Sequence, residues 1–213
     1  TDRMDALVLA RYICHEHAHL QQWQPPTACQ AALRELLADR ATLVRQRSAL
    51  AQAGCHNKAL ARLDEPVLAA MQQAIAQIDE QLASTVQADP ASQEAFEYIT
   101  SVPGLGLVCG SLLVMLFGRM QTRSADAVIA FTGLDPRPND SGKKTGQRRL
   151  SKRGWPEIRR LMYTAAMSAA RTKTWNSFYR AQRDKGLSTT AALVVLARKL
   201  LRVAFSLFKK RVK

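Results

Sequence analysis

The segment PNDSGKKTGQRRLSKRG, residues 138–154, combines a possible nucleophile with a dense group of cations. Ser141 stands beside Gly142, and the eleven residues from 143 to 153 contain six basic side chains: Lys143, Lys144, Arg148, Arg149, Lys152 and Arg153. A serine hydroxyl attacks phosphorus or carbon when a base or a metal activates it. Lys and Arg bind phosphate oxygens, and Arg does so with two parallel hydrogen bonds. A serine in an Asn-Asp-Ser-Gly stretch is also ordinary turn chemistry, so its spacing alone leaves both interpretations open.

Two neighbouring elements extend this chemistry. Arg159 and Arg160 follow in the next helix, and we expect them to add to the contact with a nucleic acid. In SVPGLG, residues 101–106, Gly104 and Gly106 precede an apolar helix and resemble the turn of helix-hairpin-helix DNA-binding modules. Free N–H groups ahead of a helix bind phosphate well, although an ordinary tight turn would use the same glycines.

Asp2 and Asp5 form a pair with a suggestive spacing at the chain start. Three positions apart on a helix, their carboxylates lie on one face. Paired carboxylates supply the oxygen ligands that Mg²⁺ prefers. An acidic first turn of a helix would look the same, so the pair predicts a magnesium site only with further ligands.

The charge distribution places the polyanion site in the second half of the chain. Residues 1–101 contain 8 Lys and Arg against 12 Asp and Glu, whereas residues 102–213 contain 23 against 5, a net charge of +18. Such a balance predicts a nucleic-acid partner. The longest apolar run, residues 105–118, is too short to span a bilayer and indicates a buried helix. We expect no membrane partner, and four cysteines with no CxxC and no regular framework predict a reduced, cytosolic protein.

The apolar spacing predicts an all-α fold with no sheet. One helix is expected over 27–53 and another from Pro66, together forming a long antiparallel coiled-coil hairpin that packs on itself or on a second copy. A compact helical domain follows, in which Ser124 and Ser188 are expected to cap helices and Pro156 to lie in the first turn of another, expected to run to Thr172.

Several fragments in order resemble one family. They are TDRMDALVLARY, SVPGLG, AVIAFTGLDPRPNDSG, RRLSKRGWPEIRRLMYTAA and KGLSTTAALVVLARKLLR. Together they resemble the insertion-sequence-110 family of DEDD transposases, which includes the pilin-gene invertases. The resemblance implies a RuvC-like domain with four acidic residues that bind Mg²⁺, a coiled coil, and a helical domain with a catalytic serine. It also implies a DNA recombinase that is guided by a bridge RNA and works in the bacterial cytoplasm, associated with the nucleoid.

On this chain the resemblance assigns roles to specific positions. Asp2 and Asp5 match the last two acids of the tetrad, and Ser141 matches the serine that would hold a cleaved DNA strand as a phosphoserine. The cations around Ser141 would offset transition-state charge. The implied domains are a RuvC-like remnant at 1–24, the hairpin at 25–92, and the serine-transposase domain at 93–213. The hairpin would join protomers into a dimer or tetramer.

Two departures from the family pattern shape the expectation. The first two acids of the tetrad and their strands are absent, so the chain is expected to be inactive alone, as a truncated copy or a fragment. Trp155 stands where the family usually has asparagine. Two rival hypotheses remain: a non-catalytic, dimeric nucleic-acid-binding module in which Ser141 only shapes a loop, and a pure dimerisation scaffold.

Overall fold

A computed structural model of the chain describes residues 2–18, 23–120, 124–137 and 149–210. Within these ranges the protein is mostly helical, which confirms the predicted all-α class. The elements are α1 (Asp2–Glu16), α2 (Ala28–Gly54), α3 (Lys58–Gln87), α4 (Pro90–Thr100), α5 (Leu107–Arg119), α6 (Ala125–Thr132), β1 (Pro136–Arg137), β2 (Arg149–Leu150), α7 (Pro156–Ala169), α8 (Lys173–Asp184) and α9 (Thr189–Lys210).

Helices α2 and α3 run antiparallel and pack against each other. Thr27 begins α2 with a capping box in which its hydroxyl accepts from the Gln30 N–H. Across the pair, Arg40 donates twice to the Asp79 carboxylate, at 2.5 and 3.0 Å. Near the open end of the pair, the apolar side chains between the helices are fully buried: Leu33, Leu37, Leu82 and Val86. Coiled-coil packing and a role in oligomerisation stay predictions.

The predicted start of the second hairpin helix is wrong. Helix α3 begins at Lys58, and Pro66 lies inside it rather than in its first turn. The Asn57 side chain accepts from the Ala59 and Leu60 N–H groups and therefore caps a helix that begins eight residues before Pro66. Proline removes one hydrogen bond within a helix, and the packing of α3 on α2 outweighs that loss.

The core of the second half is centred on α5 and α9. The stretch from Cys109 to Phe117 is buried throughout, and the Phe117 ring lies 5.2 Å from that of Phe205 in an edge-on arrangement. This core continues without a break into the residues between α2 and α3. The helical pair therefore packs on α5, and the division at 24/25 and 92/93 stays a prediction.

The predicted helix boundaries in the second half are largely confirmed. The Ser124 hydroxyl accepts from the first N–H groups of α6, the Ser188 hydroxyl accepts from Ala191, and Pro156 is the first residue of α7. Helix α7 ends at Ala169 rather than continuing to Thr172, because the chain turns there into α8, an element that the apolar spacing did not predict.

The prediction of no sheet is wrong in one place. Strands β1 and β2 form an antiparallel ladder that pairs Pro136 with Leu150 and Arg137 with Arg149. Strands of two residues are too short to show an alternating pattern, so the sequence contains no signal for them. The ladder matters because it brings together the two residues, 137 and 149, that flank segment 138–148.

None of the described residues of helix α1 is buried. Its exposed side chains include Met4, Val8, Leu9 and Tyr12. Among the described ranges, no helix combines the length and the apolar character needed to cross a membrane.

Candidate nucleic-acid interface

The structure describes most of the predicted site residues but not the central ones. Ser141, Lys143, Lys144 and Arg148 lie outside the described residues. The segment that contains them begins after Arg137 and ends before Arg149, which are register partners in the ladder. The described part of the site is therefore the frame from which the serine-containing segment leaves and to which it returns.

Two glycines allow the two sides of this frame to interlock. Gly133 ends α6 in the left-handed conformation, with φ +70°, and a Cβ there would lie 2.1 Å from the Arg153 carbonyl oxygen. Gly154 also has a positive φ, +85°, and a Cβ there would lie 2.3 Å from the Phe131 carbonyl oxygen. No L-residue with a side chain fits either contact without movement of the backbone. The end of α6 and residues 152–154 are thus held in close backbone contact.

Hydrogen bonds complete this frame next to the ladder. The Ser151 N–H donates to the Asp135 carbonyl oxygen at 2.9 Å, and the Lys152 N–H donates to the Gly133 carbonyl oxygen at 3.1 Å. The Ser151 hydroxyl also donates to the Asp135 carboxylate. These bonds extend the pairing of the two sides beyond β1 and β2, and they fix the backbone on both sides of segment 138–148.

Arg159 contributes to the same frame from α7. Its Nη1 donates to the carbonyl oxygens of Thr132, Arg153 and Gly154, at 3.0 to 3.3 Å. One guanidinium nitrogen thus joins the end of α6 to the segment before α7. Arg159 was predicted to bind nucleic acid. The structure gives it a scaffold contact, and its nucleic-acid contact stays a prediction.

Arg160 is held by an ion pair. It donates two hydrogen bonds to the Glu157 carboxylate, at 2.5 and 2.8 Å, and Glu157 is buried. The hydrogen bonds to Glu157 raise the pKa of Arg160, against the opposing effect of burial. This bidentate geometry fixes the orientation of the guanidinium at the first turn of α7. Its predicted contact with nucleic acid would have to use the remaining exposed face.

Three predicted contact residues are exposed on the frame: Arg149, Lys152 and Arg153. Lys152 has φ +53°, a left-handed conformation that residues other than glycine adopt infrequently. The hydrogen bond from its N–H to Gly133 holds it there. These side chains continue the positive charge of segment 138–148 onto a fixed surface.

The glycine turn before α5 lies apart from this surface. Gly104 has φ +101°, and a Cβ there would lie 2.6 Å from the Ala169 Cβ, so contact with the end of α7 is sufficient to require glycine. Gly106 is exposed at the N-terminus of α5, with open space where a Cβ would be. Arg159 is ten residues before Ala169 on α7, about 15 Å along the helix axis. The structure therefore separates the two predicted phosphate contacts.

The predicted magnesium ligands occupy the first turn of α1. Asp2 and Asp5 are exposed there. Among the described residues, no group of three or more His, Cys, Asp and Glu side chains is placed to hold a metal ion. Without further protein ligands, two carboxylates in one exposed turn would bind Mg²⁺ weakly, because water would supply most of its six oxygen ligands.

Several residues of the frame were not predicted from the sequence. They are Gly133, Asp135, Ser151, Gly154 and Glu157. The stretch GLDP contained a turn signal, because glycine, aspartate and proline together favour a turn, but nothing in the spacing joined Asp135 to Ser151 across sixteen residues. Glu157 stands three residues before Arg160, a spacing that does predict an ion pair on a helix.

Comparison with known proteins shows which families two segments of the chain resemble. Residues 96–180 match the family model of IS116/IS110/IS902 transposases, and residues 1–56 match that of the IS110-type DEDD transposases. Two segments of the chain thus match transposase families of the IS110 type. The first match contains the whole frame and the basic segment, and the second contains all of α1 and α2.

Individual relatives are consistent with these matches. The chain is 24% identical to the pilin gene-inverting protein of Moraxella lacunata over 99% of its own length and 66% of that protein. It is 30% identical to the 44.8 kDa protein of insertion element IS116 of Streptomyces clavuligerus, over 68% of the chain. It is 32% identical to the 42 kDa protein of IS900 of Mycobacterium paratuberculosis, over 53%. The chain spans 36% and 29% of these two proteins.

Proposed function

We propose that this chain is part of a DNA transposase or site-specific recombinase that cleaves and rejoins DNA through Ser141. One observation carries the proposal: the transposase match over residues 96–180 contains the basic segment and the frame of described residues on either side of it. The relatives named for inverting a gene or for an insertion element support DNA as the substrate.

In the proposed reaction the Ser141 oxygen attacks a DNA phosphodiester. A phosphoserine ester forms as the bond from phosphorus to one sugar oxygen breaks. The serine proton passes to a base, and the released sugar oxygen gains a proton. The energy of the phosphodiester is kept in the ester, so the reverse attack by a second DNA end rejoins the strand. Lys143, Lys144, Arg148 and Arg149 would stabilise the charge on phosphorus in the transition state.

The frame gives this reaction its geometry. A nucleophile must be held within a few tenths of an ångström of its productive position to be effective. The ladder, the Asp135–Ser151 pair and the Arg159 contacts fix the described residues on either side of the serine-containing segment. We assign no step to magnesium, because Asp2 and Asp5 alone do not form its site. A magnesium-dependent enzyme would need the remaining two acids of the tetrad, and without them the chain would be inactive.

The partners follow from the same proposal. DNA and a guide RNA would both bind the positively charged second half, and the α2–α3 pair would join protomers into a dimer or tetramer. The alternative is a non-catalytic, dimeric nucleic-acid-binding module. The net charge of residues 102–213 supports either, so binding alone does not separate the two.

A plasmid recombination assay with the complete gene product tests the proposal. The plasmid carries two copies of the element's ends, and recombination is read by sequencing the junctions. We expect junctions with wild type, none with Ser141→Ala, and equal DNA affinity for both proteins. Junctions at the wild-type level with Ser141→Ala would remove the serine mechanism and leave the acidic residues as the source of the chemistry.

Salt dependence tests the binding part separately. Each phosphate contact lowers the logarithm of affinity by about 0.9 per tenfold rise in salt. Six to ten such contacts predict a loss of about 10³ to 10⁵ in affinity for duplex DNA between 50 and 200 mM salt. A flat response would contradict the proposed DNA interface and would favour the dimerisation scaffold.

A further inference from the structure

A second feature lies beside the frame: a cleft of about 280 Å³ between the middle of α2 and the start of α7. Its lining includes Trp155, Arg45, Arg160, Glu157 and Thr42. Small-molecule sites have volumes from roughly 300 Å³ upward, so this cleft is suited to a small group. Thr42 and Arg45 are exposed at its edge, which gives the cleft access from solvent.

An aromatic residue lines one side of the cleft. Trp155 is half-buried and packs against the core, which restricts its position. It is the residue before Pro156, at the N-cap position of α7. An indole face is a good surface for stacking of a nucleobase or a guanidinium. A half-buried tryptophan can also serve packing alone, and the experiment below distinguishes these roles.

The rest of the lining combines two arginines, Arg45 and Arg160, with Glu157, Thr42 and three apolar residues. Arg45 donates from Nε to the Ala41 carbonyl oxygen and from Nη2 to the Thr42 hydroxyl, both at 3.2 Å, so two of its five N–H donors are used within α2. Arg160 is oriented by Glu157 on the opposite side. The N-terminal end of α7 adds positive dipole charge, and no described side chain caps it.

An aromatic plane with cations around it fits a nucleotide. A base can stack on the indole, and its phosphate can contact Arg45, while the Glu157–Arg160 pair offers an acceptor and donors to the base edge. A base inside a duplex is covered on both faces by its neighbours, so only an unpaired nucleotide can use the ring. Trp155 is two residues from Arg153, which places the cleft directly beside the frame.

We propose that this cleft binds one unpaired nucleotide of a single-stranded nucleic acid, with its base stacked on Trp155 and its phosphate at Arg45. The inference rests on the proposed function, since it assumes that the frame binds a nucleic acid. It adds that the protein holds an unpaired strand at a specific point, where the helical pair meets the C-terminal helices.

Tryptophan fluorescence provides the first test. The chain has three tryptophans, and replacing Trp23 and Trp175 with phenylalanine leaves Trp155 as the only reporter. Titration of the full chain with oligo(dT), oligo(rU) and a duplex should quench Trp155 with the single strands and leave it unchanged with the duplex. The comparison of oligo(dT) with oligo(rU) shows whether the unpaired strand is DNA or RNA.

Affinity measurements provide the second test. Stacking on an aromatic ring is lost on substitution by alanine, so Trp155→Ala should weaken single-strand binding about 10- to 100-fold. Trp155→Phe should keep most of it. Arg45→Gln should lower the salt slope by about one phosphate contact. Trp23→Ala is the matched control, because Trp23 is 72% exposed and lies outside the cleft, and it should bind normally.

The outcomes separate the two proposals. Unchanged Trp155 emission together with normal duplex binding overturns the proposed nucleotide site in the cleft and leaves the proposed function intact. Absence of binding to any nucleic acid overturns both. Should Trp155→Ala fail to fold, as circular dichroism would show, the fluorescence titration and Arg45→Gln decide. If Arg45→Gln leaves the salt slope unaltered and single strands do not quench Trp155, the proposed nucleotide site in the cleft is overturned.

Discussion

Substitution of Gly133 by alanine should weaken the frame more than substitution at any comparable glycine. The residue ends α6 with φ +70°, which costs an L-residue about 1–2 kcal/mol. The added Cβ would also lie 2.1 Å from the Arg153 carbonyl oxygen and 2.6 Å from its backbone nitrogen. Both contacts involve backbone, which cannot move aside as a flexible side chain would.

Relief of this clash requires a shift of residues 152–154 away from α6. Overpacking of this kind costs about 1–3 kcal/mol. Added to the conformational cost, it predicts a loss of about 2–5 kcal/mol in the free energy of unfolding for Gly133→Ala, a large fraction of the roughly 5–15 kcal/mol of an ordinary domain. Nucleic-acid affinity should fall as well, because Lys152 and Arg153 lie on the displaced backbone.

Gly186→Ala is the matched control. Gly186 has φ +84°, close to that of Gly133, but nothing lies within 4 Å of its Cβ position. It should therefore show the conformational cost alone, about 1–2 kcal/mol, and normal nucleic-acid binding. Urea denaturation followed by circular dichroism measures both variants. Equal losses for the two would refute the claim that close backbone contact at Gly133 holds the frame together.

Two further predictions concern buried groups. Arg160→Ala leaves the buried Glu157 carboxylate without its partner and should lower the free energy of unfolding by about 2–3 kcal/mol. Glu157→Gln should lower it by about 1 kcal/mol, because glutamine can still accept a hydrogen bond. Urea denaturation measures both variants, and a reversed order would contradict the assigned ion pair. Burial raises the pKa of Cys109 to about 11, against opposing effects of Arg160 and Arg40, so about one molecule in a thousand carries the thiolate at pH 8. A thiol reagent should label the exposed Cys14 and Cys55 at once and Cys109 only on unfolding; rapid labelling of Cys109 in the folded protein would show that the core around α5 opens.

Much of the helical framework could be predicted because its signals are local. Each of these signals acts within a few residues and predicted its helix: the serine caps at 124 and 188, the proline at 156, and the apolar run that ends at Gly118. Helix α3 was misplaced because Pro66 is an apparent start signal, whereas the Asn57 cap and packing on α2 decide where the helix begins. Helix α8 was not predicted, although Trp175, Phe178 and Tyr179 stand at helical spacing and pack against the core.

The frame could not be predicted because its contacts are not local. Gly133 meets Arg153, and Asp135 meets Ser151, only after α6 and α7 have packed against α9. The sequence correctly indicated a basic surface, because that depends on composition. It did not indicate that Arg159 donates three hydrogen bonds to backbone carbonyl oxygens. The resemblance to transposases supplied the role of Ser141, which spacing alone did not.

The most direct measurement of the central claim is a search for a covalent bond between the protein and DNA. The complete gene product is incubated with a DNA substrate nicked near the cleavage site, denatured, digested and analysed by mass spectrometry. We predict a nucleotide adduct on the peptide that contains Ser141, absent in Ser141→Ala and present in Ser151→Ala, whose hydroxyl is bound to Asp135. An active recombinase that yields no adduct, or the same adduct without Ser141, would contradict the account.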